Sequence, residues 1–415
     1  MKITDRVVGL DVGTTKICFI VAQVEDNGSL SIIGLGSAPS DGMVKGMVND
    51  IDKAAVAISA ARAKAEAMCG FKIDSAVVGL TGNHIISRNN RGMVAVTGQD
   101  KEITEDDVER ALTSARAVDL TSDMEILHAI PRSYVIDGQE GVHDPVGMHG
   151  SLLEVEAHVV TGSSAAIRNL IKSVERAGIA IDDIVLEPIA SCEAVLNEDE
   201  RELGVILADI GGGTTDLAIF MDGSIYYSSV IPVGGNHVTH DIAVGLSTPV
   251  GEAERIKLSR GRVGRENREE DEHIPVASIS GESDRHLPSG MLSDIIEARI
   301  REMLDLIGRE VAGAGCRDIL PGGIVFTGGG SQIKGLVAMA ESYLGVPART
   351  GRPYGLNGLI DLVSNPVYST GVGLVCYGAG HGLTGTVERD DNPLQSFVTW
   401  LRNWLSDIIP RYRES

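Results

Sequence analysis

The sequence predicts an α/β protein built from two similar halves, and three stretches carry that prediction. The first is D-I-G-G-G-T-T-D, Asp209 to Asp216, set between the apolar runs 204–208 and 217–220. A strand that ends in an acidic residue, three glycines and two threonines and then resumes is a tight hairpin whose backbone N–H groups suit phosphate. Alone, it reads equally well as an ordinary glycine-rich turn. The second stretch repeats the device: the run 7–10 leads into Asp11-Val12-Gly13-Thr14-Thr15-Lys16 and then into the apolar run 17–24. Two such hairpins point to a duplicated fold whose halves face one polyphosphate across a cleft. The third stretch, 323–335, reads as a strand, three glycines (Gly328, Gly329, Gly330) and a helix start. Glycine there lets a base or ribose approach the backbone.

The length of 415 residues allows two or more domains and a sizeable core. A net charge of -22 disfavours nucleic acid and anionic lipid as partners of the bulk surface, so any membrane contact must be local. Five scattered cysteines without metal-ligand spacing read as reduced thiols in a cytosolic setting. Charged residues at Lys2, Asp5 and Arg6 run directly into a strand, so no signal sequence is expected, and no apolar run is long enough to span a bilayer.

In chain order, 1–81 alternates strands with the alanine-rich helix 50–68, the texture of half an α/β sheet. From 82 to 161 the pattern changes to an α+β insert. It has short strands at 85–87 and 93–96, a helix capped by Thr104 with Asp107 at its third position, and strands at 125–135 and 153–160. The first domain resumes over 162–186, with a helix at 163–177. The second domain starts over 187–241, and Gly235 and Asn236 open a helix in a manner suited to phosphate. A fourth subdomain, 242–303, holds Glu254 and Lys257 three apart on one helical face, which a solvated ion pair would also explain. Its polar stretch 260–288 reads as a mobile edge. The amphipathic helix 291–311 leaves Arg299 and Arg301 available to an acidic partner, or simply solvated. The second domain continues over 304–364, and the small-residue helix 365–380 returns to the first.

The segment 381–393 is rich in glycine and charge and reads as a flexible linker. Beyond it, 394–410 is an amphipathic helix: Leu394, Phe397, Val398, Leu401, Trp404, Leu405 and Ile408 share one face, with Trp400 at its edge. Nearby arginines suit a membrane surface, although docking back on the core is also open.

With these three nucleotide-type pieces in this order, 5–380 resembles the actin, Hsp70 and sugar-kinase superfamily of ATP-binding proteins. The resemblance implies an actin-like two-domain ATPase fold, with the α+β insert in the first domain and the amphipathic helix at the C-terminus. It implies ATP as ligand at Asp11, Gly13, Thr14, Thr15 and Lys16, and at Asp209, Gly211, Gly212, Gly213, Thr214, Thr215 and Asp216. Mg²⁺ is implied next to Asp11 and Asp209 through water, with ribose and adenine at Glu254, Lys257 and the glycines of 328–330. It also implies Glu187 as the carboxylate that orients or deprotonates the attacking water, although a helix-start carboxylate stabilised by the helix dipole reads the same.

The insert and the tethered tail together make the chain similar to the FtsA family of actin-like bacterial cell-division proteins. That similarity implies filaments of the chain with itself and lipid attachment through 394–410 at the cytoplasmic side of the inner membrane, at the septum. It implies binding of the FtsZ C-terminal tail near Arg285, Arg299 and Arg301, and later division proteins on the insert. A metabolite kinase of the same superfamily is the enzymatic alternative, but no substrate-binding loop is evident. A PilM-like pilus-assembly protein is the other, and a membrane helix of its own argues against it.

Overall fold

The computed structural model describes residues 5–98, 100–264, 273–279, 285–316 and 320–383. The expected amphipathic helix 394–410 and nearly all of the linker before it lie outside them. Among the described residues, no helix is long and apolar enough to cross a membrane.

Two sheets repeat one plan. The first half runs in the order Ala180–Leu186, Ser75–Leu80, Arg6–Val12, Lys16–Val24, Leu30–Pro39, Asn357–Gly358. The second runs Ser224–Ile231, Thr215–Met221, Val205–Ile210, Ile324–Thr327, Ala348–Thr350. In each, an antiparallel hairpin beginning with an aspartate-ended strand has a parallel strand on its other side. The duplication extends to single atoms: Gly13 N–H donates to Lys16 O (3.1 Å), and Gly211 N–H donates to Thr214 O (2.9 Å), closing the two turns alike.

Between the sheets lie two crossing helices, Glu187–Val195 and Ser369–Gly380. Strand periodicity sorts the second sheet cleanly: Val205 and Leu207 face the core shared with these helices, while Ile206, Ala208 and Ile210 face a separate core on the other side. The helices approach so closely that a Cβ on Gly373 would lie 1.8 Å from Ala190 O. Only glycine permits that contact.

The insert has its own four-stranded sheet, ordered Ile86–Ala95, Leu152–Ser163, Met124–Ile136, Gln139–Val142, and its own core under helix Glu105–Ala115. Thr104 and Asp107 form the capping box. Where the sequence reads two short strands, the structure has one ten-residue strand, Ile86–Ala95. The polar run at its centre, a break by propensity, is held by tertiary hydrogen bonds: Asn89 to Tyr226 O (3.0 Å) and Asn90 to Ala115 O (2.7 Å). The insert also meets the second half. His158, fully buried, bridges Asn89 Oδ1 (2.8 Å) and Ser228 Oγ (2.9 Å), and burial above all holds its proton affinity down, to a pKa of about 3. The stretch expected as a mobile edge contains an antiparallel pair, His273–Val276 with Arg285–Pro288, in which Ile274 and Val276 are buried.

Gly373→Val is expected to destabilise the chain by about 1–3 kcal/mol because its side chain has no room beside Ala190. An unchanged urea-unfolding midpoint would show that the two helices do not pack through this glycine.

Candidate functional site

Both hairpins point their turns into one cleft of about 410 Å³ between the halves. The tips meet across it: a Cβ on Gly212 would sit 1.9 Å from Thr15 Oγ1, which also lies 3.5 Å from Asn236 Oδ1. On the second domain's side, Gly235 N–H and Asn236 N–H donate to Gly211 O (2.9 Å) and Gly212 O (2.8 Å). Those helix-start N–H groups, read from the sequence as suited to phosphate, fix the hairpin onto the helix Gly235–Gly245.

Four carboxylates converge on the cleft, each buried. Asp11 is 3.6 Å from Lys16 Nζ, which also donates to Val367 O (2.8 Å) and lies over the Tyr368 ring. Asp209 Oδ2 accepts from Ser191 Oγ (2.6 Å) and Thr370 Oγ1 (3.0 Å), one hydroxyl from each crossing helix. Asp216 accepts from Thr81 and from Thr214 (3.4 Å). Glu187, at the first turn of its helix, has Oε1 buried without a hydrogen-bond partner among the described residues.

Burial raises the proton affinity of all four; repulsion from neighbouring carboxylates adds to it at Glu187, Asp209 and Asp216, while Lys16 opposes it at Asp11. Asp216 is pushed up to about 8. Glu187 is driven well above the ordinary carboxylate range, by burial first and then by Asp11, Asp216 and Asp209. A cluster of this kind is poised to ionise when positive charge arrives. Among the described residues, no three His, Cys, Asp or Glu side chains are grouped closely enough to grip a metal ion directly.

The far end of the cleft is polar in a different way. Lys257 Nζ reaches Glu254 (2.7 Å), Thr239 Oγ1 (2.8 Å) and Gly235 O (3.1 Å), and the glycines 328–330 form the opposite wall. The structure thus brings the expected residues to one cavity, except Gly213, packed against Thr14 and Lys45, and Thr215, whose hydroxyl bonds to Val233 O (2.8 Å). Sequence reasoning missed Thr81, Ser191 and Thr370. Only their positions, just past a strand end for Thr81, within one crossing helix for Ser191 and at the start of the other for Thr370, hint at them.

The three arginines expected to receive an acidic peptide are engaged within the fold. Arg299 is bidentate on Asp241 (2.6 and 2.9 Å) and also pairs with Glu302. Arg301 pairs with Glu297 (2.7 Å), and Arg285 donates to Leu246 O and Ser247 O. An incoming carboxylate would have to displace or share these partners. The expected membrane-facing residues, Leu394 to Ile408, lie outside the described residues.

Comparison with known proteins agrees with this architecture. Residues 206–373 match the family profile described as "Cell division protein FtsA", and 82–161 match "SHS2 domain inserted in FTSA". The chain is 42% identical over 406 residues to the cell division protein FtsA of Pseudomonas aeruginosa, covering 96% of this chain and 97% of that one. With the FtsA of Escherichia coli K12 it shares 39% identity over 417 residues, covering 98% and 99%. Among solved structures it resembles a PilM-PilN type IV pilus biogenesis complex (TM-score 0.66, 16% identity, 90% of this chain and 98% of that chain). It also resembles MreB5 of Spiroplasma citri bound to ADP (TM-score 0.51, 17% identity, 88% and 94%). These distant likenesses show a shared actin-like fold.

Because the fold raises the Glu187 pKa, its stabilising contribution is fully present below the ordinary carboxylate pKa and is lost as pH rises through the folded value. Glu187→Gln is therefore expected to stabilise the ligand-free chain by about 1 kcal/mol or more at pH 8, with the difference shrinking toward pH 4. Thermal melts of both forms across that range would check it; a variant less stable at pH 8 would show that the carboxylate is not the strained group.

Proposed function

We propose, from the premise that this chain belongs to the FtsA family of actin-like cell-division proteins, that Mg²⁺·ATP binds in the cleft and governs assembly on a membrane. The observation that carries the reading is the pair of matched hairpins meeting tip to tip over four buried carboxylates, one of which, Glu187, has an orphaned oxygen. That arrangement is costly without positive charge and becomes favourable once charge is supplied.

In this reading the turns 13–16 and 211–214 hold the phosphates, and Lys16 neutralises part of their charge. Asp11 and Asp209 orient water around the ion, which prefers to keep most of its hydration shell. When bound, the ion supplies charge neutralisation for the phosphates and the carboxylates alike. Glu254 and Lys257 take ribose hydroxyls and the adenine edge, with glycines 328–330 against the base. Glu187 loses its proton as the cleft fills and orients water, acting as a general base.

The remaining steps rest on family membership and on the sequence. Copies associate into actin-like filaments, the amphipathic helix 394–410 lies in the lipid surface, and the subdomain 242–303 takes the C-terminal tail of FtsZ. The insert 82–161 faces later division proteins. The chain would thus tie the FtsZ ring to the cytoplasmic side of the inner membrane at the septum.

Co-sedimentation of the full chain with anionic liposomes in the presence of Mg·ATP tests this. The unaltered chain is expected to pellet with lipid and form filaments visible by electron microscopy. Trp404→Glu is expected to lose most of the pelleted fraction while ATP affinity stays within about twofold, because a charge on the apolar face opposes insertion without touching the cleft. Undiminished pelleting by that variant would remove the tail as anchor.

A further inference from the structure

A small hairpin outside the recognised phosphate turns packs against Thr14 and Gly213, where the tips of those turns meet. Its strands pair Met43 with Val48 and Val44 with Met47, leaving Lys45 and Gly46 as a two-residue turn. Both adopt positive φ, 50° at Lys45 and 77° at Gly46. Two-residue turns of this kind favour asparagine or glycine first, and a lysine there is a backbone outlier that asks for a reason.

The turn is gripped from three directions. Gly46 N–H donates to Thr14 Oγ1 (2.9 Å), at the tip of the first phosphate hairpin. A Cβ on Gly46 would lie 2.8 Å from the Thr81 side chain, whose hydroxyl bonds to Asp216. A Cβ on Gly213, at the tip of the second phosphate hairpin, would lie 3.0 Å from Lys45 Cα. The turn thus belongs to the first half of the chain but rests on the second, at the point where the two tips meet.

Charge completes the picture. Lys16 is already committed to Asp11 and Val367 O, and Lys257 to Glu254, Thr239 and Gly235 O. Lys45 is exposed and has no ion pair or side-chain hydrogen bond among the described residues. Its charge reaches the start of the helix Gly235–Gly245: His237, which accepts from Gly234 N–H (3.1 Å), has its proton affinity lowered by burial first and also by Arg299 and Lys45.

We infer that Lys45 is a terminal-phosphate contact, a cation held by a strained turn over the tips of both hairpins, which distinguishes a nucleoside triphosphate from a diphosphate. The inference rests on the nucleotide reading of the cleft. A diphosphate engages the turns 13–16 and 211–214, whereas the additional phosphate of a triphosphate extends toward the mouth, where a flexible ammonium serves as a point charge. Because the lysine comes from one half and Gly213 from the other, that contact also favours the closed cleft.

The test uses the full chain without lipid, with Mg·ADP and Mg·AMPPNP titrated calorimetrically into the unaltered protein, Lys45→Gly and Lys45→Arg. Glycine suits the positive φ, so Lys45→Gly is expected to melt no lower than the unaltered chain while losing the ammonium. The expected result is a loss of about three- to tenfold in AMPPNP affinity for Lys45→Gly, with ADP affinity within about twofold and Lys45→Arg close to unaltered. Equal losses for both nucleotides, or no loss for either, would overturn the inference while leaving nucleotide binding intact. An unaltered chain that binds neither nucleotide would overturn the reading of the cleft and this inference with it.

Discussion

One carboxylate oxygen joins the moving parts of this molecule. Asp209 Oδ2 accepts a hydrogen bond from Ser191 on one crossing helix and from Thr370 on the other, and the two hydroxyls lie 3.1 Å apart. Hydrogen bonds to a buried charged group are among the stronger ones in proteins, and each loses strength steeply with misalignment. The orientation of the two helices is thereby tied to an atom in the cleft. The close backbone contact at Gly373 and Ala190 leaves them no slack to turn independently. Whatever changes the charge around Asp209 acts directly on the joint between the halves.

The same constraint explains why the site is electrostatically uncomfortable. Four buried acids share one cavity, Lys16 lies 3.6 Å from Asp11, and burial and repulsion raise the proton affinity of Glu187 and Asp216 well above the ordinary carboxylate range. A fold optimised for stability alone would place apolar groups here. The acids are retained at the place where two rigid cores approach each other, so the local cost is offset by packing on either side.

How much of this was legible in the chain depends on how local the chemistry is. The two hairpins and the third glycine loop were readable because a turn around phosphate needs particular residues at fixed spacing, and the capping box of Thr104 and Asp107 is equally local. The insert was visible as a change in pattern over 82–161. The strand Ile86–Ala95 was misread as two pieces, because its central Arg88, Asn89 and Asn90 find their partners in distant segments. Thr81, Ser191 and Thr370 escaped for a related reason: a lone hydroxyl next to an apolar run has no signature until the fold sets it beside an aspartate. The arginines at 285, 299 and 301 looked available because their partners, Leu246 and Ser247, Asp241 and Glu302, and Glu297, are assigned by tertiary packing as much as by helical spacing.

The order in which the chain is made bears on the first half. The sheet that begins at Arg6 is covered by the helix Ser369–Gly380, with a Cβ on Gly9 only 2.7 Å from Gly371 O, and Lys16 reaches Val367 across 351 residues of sequence. At typical synthesis rates that separation corresponds to roughly 20 to 70 s of elongation. The second sheet has all of its strands between Val205 and Thr350, although its inner face still shares a core with the helix Ser369–Gly380. Until the helix Ser369–Gly380 emerges, Val7 and Val77, both buried in the finished molecule where a Cβ on Gly378 would lie 2.8 and 3.0 Å from their side chains, lack that neighbour. The nascent first half therefore keeps an apolar sheet face uncovered until the segment 369–380 has been made.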